Sequence, residues 1–498
     1  MHGIVLSFMA FFSKAYGGGN HERAYSLLAL SDGSFVMAGY TASFGSGNND
    51  ILVLKANADG SLAWARTFGG SDRDEAWSVI GTTDGGFAVA GHTRSLGDPD
   101  GDFILIKLTS GGGFSWARTI GGANLEEAYA VVQTSDGGFA LAGVTNSMGA
   151  GVEDVLLVKL DALGGMGWAK TFGGFTYDYG YSVCTAPDGG IVLAGYTSSF
   201  GAGSDDFLVL KTDASGNLLW ARTIGGPSYD DAYSVIPTLD GGFLVVGYTG
   251  SYGAGQADAF VVKLTSAGGV SWARAIGGTG WDEARSAIQT SDRGFLISGY
   301  TASWGAGGEA WLVKLTESGS FSWSKTFGGS GYEYAYDPVE LSSGLGIAGT
   351  TWSYGAGNTD LLLYKTDAQG NLPGCVVDRT PTVNSPNPSS STPSGFATQS
   401  LSSVSANPSQ GTPSILVNNA CVPVETEEWD RPPASFRALG TRGAILFEAE
   451  EQVGVRVFSA FGSLIWEGIV GPGSARVKFK PGVYFWEAGT KRGVALVM

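Results

Sequence analysis

The chain repeats one sentence, and that repetition constrains its fold more than any other feature. The segment WARTFGGSDRDEAWSV at residues 64–79 returns as WARTIGGANLEEAYAV, WAKTFGGFTYDYGYSV, WARTIGGPSYDDAYSV, WARAIGGTGWDEARSA and WSKTFGGSGYEYAYDP, and a degenerate copy, FSKAYGGGNHERAYSL, precedes it. The leading aromatic falls at Phe12, Trp64, Trp116, Trp168, Trp220, Trp272 and Trp323, five steps of 52 residues and one of 51. A fixed period of this size signals a solenoid or a propeller, because each unit is a supersecondary element that buries its apolar face only against the next unit.

Each unit reads as four short strands, for example AYSVIPT, GFLVVGYT, DAFVVKL and VSWARAI. Asp-Gly-Gly turns such as Asp84-Gly85-Gly86 and Asp240-Gly241-Gly242 separate the first two, supplying the positive φ a tight hairpin needs. The 80 glycines follow no three-residue period, so they mark turns and not a collagen helix. A linear stack needs atypical caps at both ends. Here the chain begins with the fourth strand of a unit, near residues 11–16, and its last unit stops after three, near Leu363-Tyr364-Lys365. The first strand can therefore complete the last unit and close a ring, which removes an exposed edge. The expected fold is all-β: a seven-bladed β-propeller of four-stranded blades over residues 11–373, closed by the N-terminal strand.

These units, DGGF…AGYT and VLKTDASGNLLWARTIGG, resemble the repeats of secreted bacterial seven-bladed β-propeller repeat proteins. The segment TDASGNLLW is also similar to the tryptophan-docking motif of pyrroloquinoline-quinone propellers. That resemblance implies that Trp220 and its equivalents pack between blades, in a structural role.

Two acids and two bases recur in every copy. One acid follows the Gly-Gly pair (Glu22, Asp74, Glu126, Asp178, Asp230, Asp282, Glu333), and another opens the third strand (Asp50, Asp102, Asp154, Asp206, Asp258, Glu309, Asp360). A base follows the aromatic (Lys14, Arg66, Arg118, Lys170, Arg222, Arg274, Lys325), and a Lys closes the third strand (Lys55, Lys107, Lys159, Lys211, Lys263, Lys314, Lys365). Fourteen of 46 acids and fourteen of 29 bases occupy these positions, so the whole net charge of −17 lies elsewhere. Balanced charges repeated seven times read as ion pairs and loop-fixing hydrogen bonds, since packing needs seven equivalents and an active site needs one arrangement. The functional alternative is a ring of carboxylates able to hold a cation.

The loops between the second and third strands carry Phe44, Leu96, Met148, Phe200, Tyr252, Trp304 and Tyr354 beside Gly-rich stretches. They are expected to share one face with the blade-to-blade connections. That face gives the candidate ligand site: Phe44, Phe200, Tyr252, Trp304 and Tyr354 with Asp74, Asp230 and Asp282, aromatic platforms and carboxylates suited to sugar rings or a peptide. The alternative is that the aromatics tuck onto neighbouring blades. Asp98, Asp100 and Asp102 form an oxygen-rich DPDGD turn that is a candidate for Ca²⁺, without the closing Glu of a full loop. No other cofactor is expected. His2, His21 and His92 are the only histidines, so neither a Ser-His-Asp triad nor a His-based zinc site can be argued. An acidic chain does not suit a nucleic-acid partner, and no apolar run is long enough for a membrane-spanning helix.

Residues 1–10 hold an apolar stretch read as the remnant of a signal peptide. Residues 374–433, rich in Ser, Thr, Pro and Asn, are expected to form an extended linker with strand-like pieces, pinned by a disulfide between Cys375 and Cys421. Cys184 reads as a buried apolar residue. From 434 to 498 apolar alternation returns and predicts a small β-sandwich. The pieces VRVFSAFGSLIWEG, PGVYFWEAG and KRGVALVM resemble the C-terminal sorting domain of the type IX secretion system, although RPPASFRALG stands where that family carries an Asn-Pro. The resemblance implies a domain read by the secretion machinery and a secreted or surface-attached protein. The reading is thus an exported, non-enzymatic binding or adhesion scaffold for a glycan or peptide. A carbohydrate-active enzyme using two carboxylates, and a structural surface-layer component, stay open as alternatives.

Overall fold

A computed structural model describes residues 11–386 apart from 306, 373 and 374, and beyond them the backbone of short strands between 389 and 497. The chain divides into two units, one of residues 1–372 with 376–420 and one of 373–375 with 421–498.

The first unit is a seven-bladed β-propeller. Blades 1 to 6 span residues 22–69, 74–120, 126–172, 178–225, 230–277 and 282–327, each an antiparallel run of four strands in chain order. Blade 7 takes three strands from residues 333–366, and the N-terminal strand Phe12–Gly17 completes it. Phe12 lies opposite Lys365 and Tyr16 opposite Leu361, so the ring closes as the strand count predicts.

The second and third strands of the blades are buried along all or nearly all of their length, as in Phe243–Thr249 and Asp258–Leu264. Neighbouring blades cover both their faces, which is why these strands read as continuous apolar runs without alternation. One shared core holds Phe207, Phe243 and Phe260, all without solvent exposure, with Trp220 against it. The Trp of each blade lies on the Gly of the next blade's last turn. A Cβ on Gly268, whose φ is +77°, would sit 2.9 Å from Trp220, and one on Gly216 (φ +79°) 2.9 Å from Trp168. Gly is required there both by the turn and by the ring pressed on it. In blades 1, 2, 4, 5 and 6 the base beside the Trp lies over that ring, Arg274 at 5.2 Å from the Trp272 centroid, and Arg274 also caps the next turn, donating to the Gly319 carbonyl at 2.8 Å.

Residues 376–419, read from sequence as a linker, supply six short strands to the outer edges of six blades. Cys375 is disulfide-bonded, Cys184 is free and buried, and Cys421, the expected partner of Cys375, lies outside the described residues. The second unit contains two antiparallel sheets, one of three strands and one of four, drawn from residues 436–497. The stretch 1–10 also lies outside the described residues.

Candidate functional site

The invariant acids serve the loops. Asp74, without solvent exposure, accepts hydrogen bonds from the Gly70 amide at 2.8 Å, the Ser95 hydroxyl at 2.7 Å and the Thr93 hydroxyl. Asp230 repeats this with Gly226 and Ser251, and Asp282 with Gly278 and Ser303. The recurring Gly-x-Thr-x-Ser run is therefore the partner of the recurring acid. The second acids hold the neighbouring loop, Asp206 accepting from the Ala202 amide at 2.8 Å. The third-strand Lys meets the turn Asp of its own blade, as in Lys107–Asp84 and Lys159–Asp136, both 2.9 Å.

The loop aromatics are half-buried and folded back over the Gly-Gly pair of the preceding blade. Tyr252 donates to the Gly225 carbonyl at 2.8 Å and packs on Phe260, and Tyr354 donates to Gly328 at 2.9 Å. Trp304 packs on Trp311 with centroids 5.8 Å apart, and Phe44 and Phe200 lie over Gly18 and Gly174. Asp74, Asp230 and Asp282 are thus set beneath the loops, and the five aromatics are engaged in packing them. Asp98, Asp100 and Asp102 close a turn: Asp98 donates its amide to Asp102 at 2.9 Å, and Asp100 donates its amide to Asp98 at 3.0 Å. Burial raises the Asp102 carboxyl to about 6. Among the described residues no group of three or more His, Cys, Asp or Glu gathers as a metal site would require.

The residues that do face the axis are set by a β-bulge. In each innermost strand the register slips once, at Ala24/Ser26 in blade 1 and Ala284/Ser286 in blade 6, and the same slip occurs in the other five. The bulged residue has no partner opposite it and swings toward the axis. The seven bulged residues are Tyr25, Trp77, Tyr129, Tyr181, Tyr233, Arg285 and Tyr336. They line an axial cavity of about 530 Å³. Their rings touch in sequence around the ring: Tyr25 stacks on Trp77 at 4.1 Å, Tyr129 meets Tyr181 at 4.9 Å, and Tyr336 returns to Tyr25 at 5.0 Å. Arg285 takes the remaining place, its guanidinium 4.2 Å from the Tyr233 centroid and paired to Glu283 at 2.6 Å. Beneath them lie Ser26, Ser78, Ser182, Ser234 and Ser286, with Ala130 in blade 3 and Asp337 in blade 7.

The mouth of the cavity is divided. At the position just before the invariant acid, blades 4 to 7 carry Tyr177, Tyr229, Trp281 and Tyr332, exposed by 46, 54, 37 and 50%. Inside that arc come Tyr179, stacked on Tyr196 at 4.9 Å, Asp231, Glu283, and Tyr334, stacked on Tyr300 at 4.5 Å. Burial raises the Asp231 carboxyl to about 7. Blades 1 to 3 carry His21, Arg73 and Leu125 at the arc position, and Arg23, Glu75 and Glu127 inside it. Arg73 forks onto Glu75 at 2.7 and 2.8 Å. His92 replaces the Tyr of four other blades, is wholly buried, and has no hydrogen-bond partner at either ring nitrogen. Burial pushes its pKa down against the pull of Glu127 and Glu75.

The arc and the bulged ring fall at positions where the seven copies differ, outside the recurring pattern. Their signal lies in the positions that vary.

Residues 30–62 and 186–218 match a family described as "Domain of unknown function (DUF5122) beta-propeller". No curated protein matches the sequence. Among solved structures, a putative gluconolactonase is similar at 10% identity and a TM-score of 0.34, over 58% of this chain and 89% of its own. PorZ, a surface component of the type-IX secretion system of Porphyromonas gingivalis, is similar at 11% identity and 0.38, over 96% of this chain and 60% of its own. An exo-beta-1,3-galactanase from Phanerochaete chrysosporium is similar at 12% identity and 0.26, over 82% of this chain and all of its own.

Proposed function

We propose that the chain is an exported, non-enzymatic propeller that binds a glycan at the aromatic half of its mouth and acts as a surface or extracellular binding scaffold. One observation carries the reading. Four adjacent blades present an exposed aromatic at one repeat position, just before the strands that line the axial cavity and two residues before Asp231 and Glu283 in blades 5 and 6, while the other three blades do not. Flat rings offer the apolar faces of a pyranose a platform, and Asp231, Glu283 and the Ser hydroxyls offer its hydroxyl groups partners. Export rests on the sorting-domain resemblance of residues 434–498, a small β-sandwich in this reading, addressed to the secretion machinery.

The test is a glycan and peptide array followed by titration calorimetry on the best binder. Tyr229→Ala and Trp281→Ala should each weaken glycan binding about tenfold, the equivalent of about 1.4 kcal/mol. Leu125→Ala, across the mouth, should leave it unchanged. Binding of peptides alone, or of glycans equally well by all three variants, would overturn the reading.

The raised Asp231 carboxyl supports a second reading, a carbohydrate-active enzyme with Asp231 as proton donor. Reducing-sugar release that vanishes in Asp231→Asn would establish it over the first.

A further inference from the structure

The belt of residues 376–419 runs round the propeller against the order of the blades. Its strands pair with the outermost strand of blade 6 (Val376–Asp378), blade 5 (Thr382–Asn384), blade 4 (Ser389–Ser391), blade 2 (Ser403–Ala406), blade 1 (Ser409–Gly411) and blade 7 (Leu416–Asn419). All six ladders are antiparallel, and one repeat position fixes their register. Phe327, Ile276, Ile224, Ile120, Phe68 and Tyr16 are equivalent residues of six blades, and their partners are Val376, Val383, Ser390, Ser403, Gln410 and Val417. The belt advances seven residues per blade, except for thirteen across the two steps that bracket blade 3. Pro381 and Pro386 fall between the strands, where no ladder needs their missing N–H. Such regularity is that of a fitted partner, in which the backbone supplies the match and side-chain identity matters little.

The last ladder has a special position. The strand Phe12–Gly17 closes the ring, yet no hairpin turn joins it to the other strands of blade 7, which come from residues 333–366. Lys14 lies opposite Leu363 on one side and Asn419 on the other, so the belt turns this closing strand from an edge into an interior strand. We infer that the outer rim is a strand-accepting surface occupied in cis by residues 376–419, and that its final strand locks the ring by holding the N-terminal strand in blade 7. The propeller then becomes fully closed only when the chain beyond residue 415 is in place.

Hydrogen exchange of the full chain tests this. Neighbouring residues in an antiparallel strand alternate in the direction of their N–H, so a double Pro substitution removes a ladder bond whichever residue faces the partner. In Val417→Pro/Asn418→Pro the amides of residues 12–17 and 360–366 should exchange at least tenfold faster. In the control Val404→Pro/Ser405→Pro the loss should stay on residues 114–120 of blade 2, with 12–17 as in wild type. The mass in solution should be that of one chain. If the first variant fails to fold while the control folds, the lock is supported. The inference is overturned by wild-type protection of 12–17 in the first variant, by equal losses in all blades or misfolding in both variants, or by a dimer that exchanges belts between copies.

Discussion

Asp337 should make the protein less stable as pH rises, and replacing it with Asn should remove that dependence. Five blades place Ser at this position and one places Ala, so the carboxyl is the exception. It spans three blades, accepting from the Leu27 amide at 2.9 Å and the Ser26 hydroxyl at 3.3 Å in blade 1, and from the Ser286 hydroxyl at 3.0 Å in blade 6. Burial raises its pKa from 3.8 to about 6 despite these donors. A carboxyl whose pKa is raised in the folded state stabilises fully below its unfolded value, and that contribution is lost as pH climbs through about 6. A rise of about two units corresponds to a ceiling of about 3 kcal/mol. The side chain lines the axial cavity and is only part-buried there, which lowers the figure to about 1–2 kcal/mol. Asn keeps an acceptor for Leu27 and can donate to Ser286, so it loses little at acidic pH. Urea unfolding of wild type and Asp337→Asn at half-unit steps from pH 4 to 8 is the assay. The variant should gain about 1–2 kcal/mol on wild type between pH 4 and 6 and nothing further above 7. A difference that stays constant over the range, or one in which wild type gains as pH rises, would refute the reasoning.

Other expectations follow from the packing. Gly268→Ala meets both a φ of +77° and the Trp220 ring at 2.9 Å, and it should lower stability by about 2 kcal/mol or more, read from the urea midpoint. His92→Tyr restores the residue of four other blades and places a hydroxyl opposite Glu75, where Tyr248 donates to Asp231 at 2.8 Å in blade 5. Because burial lowers the His92 pKa, wild type should lose stability relative to the Tyr variant as pH falls below about 6.5. Thermal unfolding at pH 5 and 8 distinguishes the two.

Much of the propeller could be read from the repeat itself. The Trp spacing counts the blades, the Asp-Gly-Gly turns mark the hairpins, and the missing fourth strand of the last unit announces the closure by Phe12–Gly17. The belt could not be read this way. Its ladders use backbone, so Ser390 and Val383 serve equally well and leave no apolar pattern. Only the spacing of prolines hints at them. The pairing of the recurring Lys was equally hidden, because Lys107 meets Asp84 of a turn whose residues had a sufficient explanation as turn formers. The site escaped for the opposite reason. Tyr229 and Trp281 occupy a position where the seven copies disagree, and a bulge sends Tyr233 and Arg285 to the axis against the alternation a regular strand would have imposed.

Arg285 has one more consequence. A torus of identical sectors offers any guest on its axis seven indistinguishable settings. One guanidinium among six rings, with Asp337 in the next sector and His92 on the far side, gives this torus a single azimuth. Whatever enters the hub is read like the hand of a clock, by the direction in which it points.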